Sequence, residues 1–213
     1  MTNYIVPMLS VIALLTGACH AADTPAAPKP AAAKPAPAPA TAAAPAATFQ
    51  RWVQAPGSSL TFTFDQAGAA SNGSFKKFVT ELAYDDKSPA AGSLNVKVQI
   101  ATIDSQDKER NDLLVGADLF DAAKFPTAQY AASSLARTAA GGLEAVGKLT
   151  IRGVTRDLRL PLKIVPTATG LELSGATAIK RLDYGVGQGD WKSTEGVSDE
   201  VKIQYKVALV KAK

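Results

Sequence analysis

Residues 143–165 read LEAVGKLTIRGVTRDLRLPLKIV. Leu143, Ala145, Gly147, Leu149 and Ile151 share one parity, and Glu144, Lys148, Thr150 and Arg152 share the other. A period of two places them on opposite faces of a β-strand, one dry and one wet. The alternation breaks at Arg152-Gly153-Val154 and resumes with Leu158, Leu160, Leu162 and Ile164. Two half-buried strands joined by a tight glycine-containing turn form a β-hairpin. Pro161 lies on the outward parity and has no backbone donor, which suits an edge, a bulge or a loosely paired stretch.

The same ruler finds further strands on both sides. Leu60, Phe62 and Phe64 alternate with Thr61, Thr63 and Asp65, and turn-rich residues follow at Gln66-Ala67-Gly68 and Ser71-Asn72-Gly73. Phe75 restarts the pattern, but Phe78, Thr80, Leu82 and Tyr84 are displaced from it by an odd step across Lys76-Lys77. That step predicts a bulge where the strand bends. Leu94, Val96, Val98 and Ile100 mark the next strand, and a weaker one runs from Ala128 to Leu135. Leu171 to Ile179 and Val201 to Leu209 complete a set of about eight. Between Asp104 and Lys124 the period-two signal gives way to helix formers, predicting one or two short helices that meet near Gly116.

The N-terminal quarter has a different composition. Ile5 to Leu15 is an apolar run too short for a stable membrane span, and small residues follow it. It is read as an export signal over residues 1–21. Two outcomes stand side by side: cleavage after Ala21, or a bacterial lipobox at Leu15-Thr16-Gly17-Ala18-Cys19 that makes Cys19 a site of lipid attachment. Residues 22–48 are dominated by alanine and proline, as in APKPAAAKPAPAPATAAAPAA. Proline blocks helix and sheet while alanine buries too little surface to offset ordering, so this segment is read as a semi-rigid tether. The domain then occupies residues 49–213.

Composition narrows the function classes. The net charge of +4 is spread over the wet faces of strands, so a nucleic-acid partner is not expected. Cys19 is the single cysteine and His20 the single histidine, and both precede the domain. The domain therefore has no imidazole base, no Ser-His pair, no disulfide and no thiolate or histidine metal site. Asp118 with Asp121, and Asp85 with Asp86, are carboxylate pairs in polar turns, where capping accounts for them. The glycines of GVGQGDW lack the strand-to-helix context of a dinucleotide site.

About eight antiparallel strands with one apolar face each need a two-layer sandwich or a closed barrel to hide it. The polar outer parity argues against an outer-membrane barrel, whose lipid-facing side is apolar. An eight-stranded barrel is either filled by its own side chains or just wide enough for one elongated ligand.

The ordered motifs Trp52 with Ser59-Leu60-Thr61-Phe62, Gly73-Ser74-Phe75, Ile103-Asp104 through Arg110, Asp118-Leu119-Phe120-Asp121 and Lys124-Phe125-Pro126 resemble the YceI family. The resemblance continues through Gly147 to Thr155, Arg181 to Gly187 and Val197 to Val201, covering nearly all of Trp52 to Leu209. It implies an all-β fold, an eight-stranded antiparallel lipocalin-like barrel with one or two short helices in an insertion. It also implies an apolar cavity for a polyisoprenoid or other long-chain amphiphilic lipid, including quinone types, in a bacterial envelope. Ala131-Ala132 stands where the family pattern leads one to expect a bulkier residue; it either widens the bore or loosens the strand.

Candidate site residues follow. Phe62, Phe64, Phe75, Phe78, Tyr84, Phe120, Phe125, Tyr130, Leu149 and Ile151 form the inward parity. From the residues alone a filled core is the better reading of that parity, and the resemblance reverses it. Arg110, Arg181, Asp183 and Trp191 are candidates for a rim that meets a polar head, although Arg181 and Asp183 read more simply as an ion pair closing a loop. The expected activity is non-enzymatic carriage or sequestration of lipid in the periplasm, without cofactor or metal. Membrane association would come through an N-terminal lipid anchor. The alternative is a tethered, packed-core interaction module with no small-molecule ligand. Nothing in the pattern specifies an oligomeric state.

Overall fold

The structure, a computed structural model, describes residues 49–213. The export signal, Cys19 and the Ala/Pro tether lie outside the described residues. Eleven strand segments occur in chain order. They are β1 (Gln50–Gln54), β2 (Ser59–Gln66), β3 (Ala69–Phe75), β4 (Phe78–Tyr84), β5 (Ser93–Gln99) and β6 (Ile103–Asp104). The rest are β7 (Thr127–Arg137), β8 (Leu143–Ile151), β9 (Val154–Pro166), β10 (Leu171–Lys180) and β11 (Val197–Lys211).

The pairing resolves these segments into eight walls. β1 and β2 are two halves of one strand, since β1 pairs with β11 and β4 while β2 pairs with β11 and β3. β3 and β4 are halves of a second, and β5 and β6 of a third, because β4 pairs with β5 and β3 with β6. β7 to β11 then follow as an antiparallel meander, and the β1–β11 pairing closes the ring. A closed antiparallel barrel of eight strands results, and closure removes the exposed edges an open sheet would leave.

Local sequence explains the main features of this path. Ile151 pairs with Val154 across a two-residue turn in which Arg152 and Gly153 have φ of 49° and 74°. Positive φ at both central residues is the type I′ geometry whose twist matches a hairpin. The odd step at Lys76-Lys77 is the break between β3 and β4, where the Lys76 N–H donates to the Thr102 carbonyl. Ser71-Asn72-Gly73, read from sequence as a turn, belongs instead to β3. The turn lies wholly at Ala67-Gly68, both at positive φ. Gly73 is needed because a Cβ there would sit 2.3 Å from the Phe62 ring.

The insertion forms one α-helix, α1 (Lys108–Val115), not two. Asp107 caps it by accepting from the Arg110 N–H, so Asp107, and none of the carboxylates singled out above, is the helix cap. Gly116 ends the helix, and residues 117–124 remain turns held by bonds back to Leu114, Val115 and Gly116. Ala132 is buried beside a register shift in the β7–β8 ladder, where Gly147 has no room for a Cβ against Ala131. The small pair therefore draws two strands together.

The interior divides along the barrel axis. At the end built by β1, Trp52 packs with Leu82, Leu135 and Leu209, each of these leucines only 1 % exposed. At the opposite end Phe62, Phe64, Phe75 and Phe120 gather beneath α1, and Ile151, Tyr184 and Trp191 close the other flank. Phe62 stacks with Phe64, and Phe75 meets Phe120 edge to face. On the wet face, the ion pairs Lys148–Asp157, Glu144–Arg159 and Glu172–Lys206 each join neighbouring strands. Exposed pairs of this kind contribute little stability but keep the outer surface polar.

Candidate functional site: an apolar cavity inside the barrel

The aromatic half of the barrel encloses a cavity of about 410 Å³, within the range of small-molecule sites. Its walls are the inward parities of β2, β4, β5 and β7 to β11 with Phe75 at the end of β3, and α1 lies across the mouth. Of the residues singled out from sequence, Phe62, Phe64, Phe75, Phe78 and Phe120 line it. Tyr130, Leu149 and Ile151 do as well.

Two members of that set lie elsewhere. Tyr84 has the right parity but falls beyond Leu82, at the packed end, where its hydroxyl donates to Asp86 at 2.8 Å. That bond, strengthened by Arg137, holds the Asp86 carboxyl below its ordinary range, while burial first and Asp86 second push Tyr84 up to about 12. Phe125 packs outside the bore under the β8–β9 turn, where a Cβ on Gly153 would meet its ring at 2.8 Å, and Lys124 lies over the ring.

The expected rim separates in the same way. Arg110 lines the mouth, and its guanidinium has no hydrogen-bond partner among the described residues. Trp191 packs against the cavity from the loop before β11. Arg181 touches the cavity but has no capacity left for a ligand. All five of its N–H groups donate to backbone carbonyls, those of Val186, Trp191, Ser193, Val197 and Ser198, at 2.7–3.1 Å. A guanidinium offers five donors in a fixed fork, so this side chain is saturated. Burial lowers its pKa, and the nearby Asp199 opposes that shift.

The ion pair read from sequence is therefore absent. Asp183 does not line the cavity, and its backbone carbonyl accepts from Arg156. Gly187 is the complement of Arg181, since a Cβ there would lie 2.0 Å from the guanidinium, and its φ of 116° is open to glycine. The glycine run is thus explained by a loop wrapped around an arginine.

Sequence reasoning missed the seam between β9 and β10. Their ladder runs from Pro166–Leu171 to Lys163–Ser174 and stops, although both strands continue. Two interior tyrosines fill the lost pairing. The Tyr130 hydroxyl shares its one proton between the carbonyls of Ala145 at 2.8 Å and Leu158 at 3.1 Å, and Tyr205 donates to that of Pro161. Gly175 makes this arrangement fit, because a Cβ there would lie 2.3 Å from both the Pro161 oxygen and the Tyr205 hydroxyl. Pro161 was the signal for loose pairing; the tyrosines that answer it lie far off in sequence.

Charge in the cavity wall is confined to Arg181 and to Asp107, Glu109 and Arg110 of the α1 segment. Among the described residues no three His, Cys, Asp or Glu side chains gather to hold a metal ion.

A closed eight-stranded antiparallel barrel around an apolar bore, with its charge at the mouth, defines a lipocalin-like barrel. Residues 52–209 match the YceI-like domain, and the chain belongs to that family. It is 33 % identical over 93 residues to Protein YceI of Escherichia coli, 44 % of this chain and 48 % of that protein. The alignment thus spans about half the length of that curated relative. Among solved structures, BcnA of Burkholderia cenocepacia superposes with a TM-score of 0.68 at 32 % identity, covering 70 % of this chain and 94 % of BcnA. A polyisoprenoid binding domain from Saccharophagus degradans shares the fold with a TM-score of 0.60 at 15 % identity, covering 77 % and 99 %.

Proposed function

We propose that this protein carries or sequesters a polyisoprenoid or other long-chain amphiphilic lipid of quinone type, without catalysing a reaction, in the bacterial envelope. The observation that carries the reading is the unfilled apolar cavity inside a closed barrel. A protein that needed only a stable scaffold would gain by filling that space, since empty volume forfeits packing contacts. The same cavity disfavours the packed-core interaction module, whose premise is a plugged interior.

Energetics point to a lipid tail. Each methylene-sized group withdrawn from water contributes about 0.8 kcal/mol, so a tail in this bore binds tightly with few polar contacts. Arg110 at the mouth, with Asp107 and Glu109 beside it, would meet any charged group that the guest leaves outside the bore. Cys19, if lipidated, would anchor the tether, and the domain would then load and unload at a membrane surface.

Organic extraction of protein purified from a bacterial host, followed by mass spectrometry, tests the reading. A co-purifying isoprenoid, or stoichiometric uptake of added quinone, is expected. Repeated preparations with neither would end the carrier interpretation.

A further inference from the structure

Thr80 interrupts an otherwise greasy parity. It sits between Phe78 and Leu82 on β4, is 0 % exposed, and lines the cavity. Its hydroxyl has no hydrogen-bond partner among the described residues. A buried hydroxyl without a partner is destabilising, and valine has nearly the same shape without that penalty. The position therefore bears a cost that the folded protein alone does not offset.

The opposite wall is polar as well. In the ring, β4 and β9 are four walls apart in either direction, so they face each other across the bore. Thr80 is in register with Val96, and Val96 with Tyr130, which places Thr80 and Tyr130 on one row of the interior. Tyr205 gives its proton to a β9 carbonyl, and Tyr130 shares its proton between the carbonyls of Ala145 on β8 and Leu158 on β9. Each phenolic oxygen keeps lone pairs that can accept. Burial pushes the pKa of both tyrosines up, so they remain protonated and their donors remain committed. The cavity wall thus holds an unpartnered, fully buried hydroxyl on β4 and acceptor oxygens at β9, with apolar side chains between.

We infer that Thr80, Tyr130 and Tyr205 form an internal polar subsite that takes an uncharged oxygen function of the guest, a carbonyl or hydroxyl, inside the barrel. The assignment rests on the lipid-carrier reading and sharpens it. Thr80 donates to a guest carbonyl, and a guest hydroxyl donates to a tyrosine oxygen. Neither a bare hydrocarbon nor a phosphate suits this subsite. The first leaves Thr80 unpartnered, and the second brings charge to a part of the wall that holds no cation.

The test compares a decyl-substituted benzoquinone with decylbenzene, each displacing a fluorescent apolar dye from wild-type protein, Thr80→Val and Thr80→Ser. Thr80→Val is expected to bind the benzoquinone about fivefold more weakly, the worth of one hydrogen bond, while decylbenzene binds at least as well as before. Thr80→Ser keeps the benzoquinone affinity. Without ligand, Thr80→Val is expected to melt above wild type. Equal affinities in wild type and Thr80→Val, equal losses for both compounds, or a Thr80→Val protein that melts lower would overturn the subsite and leave the carrier reading standing. Wild-type protein that binds neither compound overturns the carrier reading itself.

Discussion

The two ends of the barrel share the same strands and the same alternation, yet one is solid and the other hollow. At the solid end Leu82, Leu135 and Leu209 meet across the axis, with Trp52 among them. At the hollow end the same β4 and β11 carry Phe78 and Ile203 beside open space. The difference lies in the walls. Toward the mouth β3/β4 and β5/β6 are each broken, β11 shifts register between Val197 and Val201, and the β9–β10 ladder has ended. Bulges and lost pairing bend and spread strands, so residues of ordinary core size no longer reach one another. Packing supplies stability at one end; vacancy supplies capacity at the other.

Substitutions should therefore separate the two ends. Filling the hollow end has the largest expected effect on binding. Val96→Trp places an indole in the bore and should abolish lipid uptake by dye displacement, while urea unfolding shifts by less than about 2 kcal/mol because the space already exists. Truncating the solid end should do the reverse. Leu209→Ala is expected to cost about 3–4 kcal/mol in urea unfolding and to leave the affinity of the folded fraction unchanged. A loss of affinity equal to that of Val96→Trp would mean the ends are not independent.

Smaller effects probe the boundary between them. Arg181→Met leaves five loop carbonyls without their donor and should lower stability by about 3 kcal/mol, with lipid affinity reduced only through a looser Trp191. Tyr130→Phe removes the donor at the seam and should cost about 1 kcal/mol at neutral pH. Its pH dependence has a defined sign. Burial raises the Tyr130 pKa from 10.0 to about 12, so the unfolded chain ionises first. The Tyr130 contribution is level below pH 10 and falls between pH 10 and about 12, and Tyr130→Phe should make that alkaline decline shallower.

At the acid side, Asp104 has a lowered pKa, first through the Gln106 N–H and then through Lys76. Its contribution is present above the ordinary value of 3.8 and is lost as pH falls through the folded value. Asp104→Asn should remove that small acid-side loss in a melting series, at the β3–β6 pairing that frames the mouth.

Much of this architecture was legible in residue order. The parity of 143–165 and its repeats yielded eight walls, the wet outer face and the bend at Lys76-Lys77, because a half-buried strand must alternate. Eight of the ten inward residues lie on the cavity wall for the same reason. Tyr84 and Phe125 do not, since parity assigns a face but not a depth along the axis. Arg181 was read as a rim group or as an ion pair with Asp183 and is instead bonded to five backbone carbonyls, which carry no sequence signature.

Alternation, turn glycines and the loose pairing at Pro161 were thus set by the chain alone, as each depends on neighbours a few residues away. Whether the middle would be full or empty was decided only in three dimensions. It depends on how far eight walls spread and on where two tyrosines reach across to β9, and those separations arise from strand pairs distant in sequence.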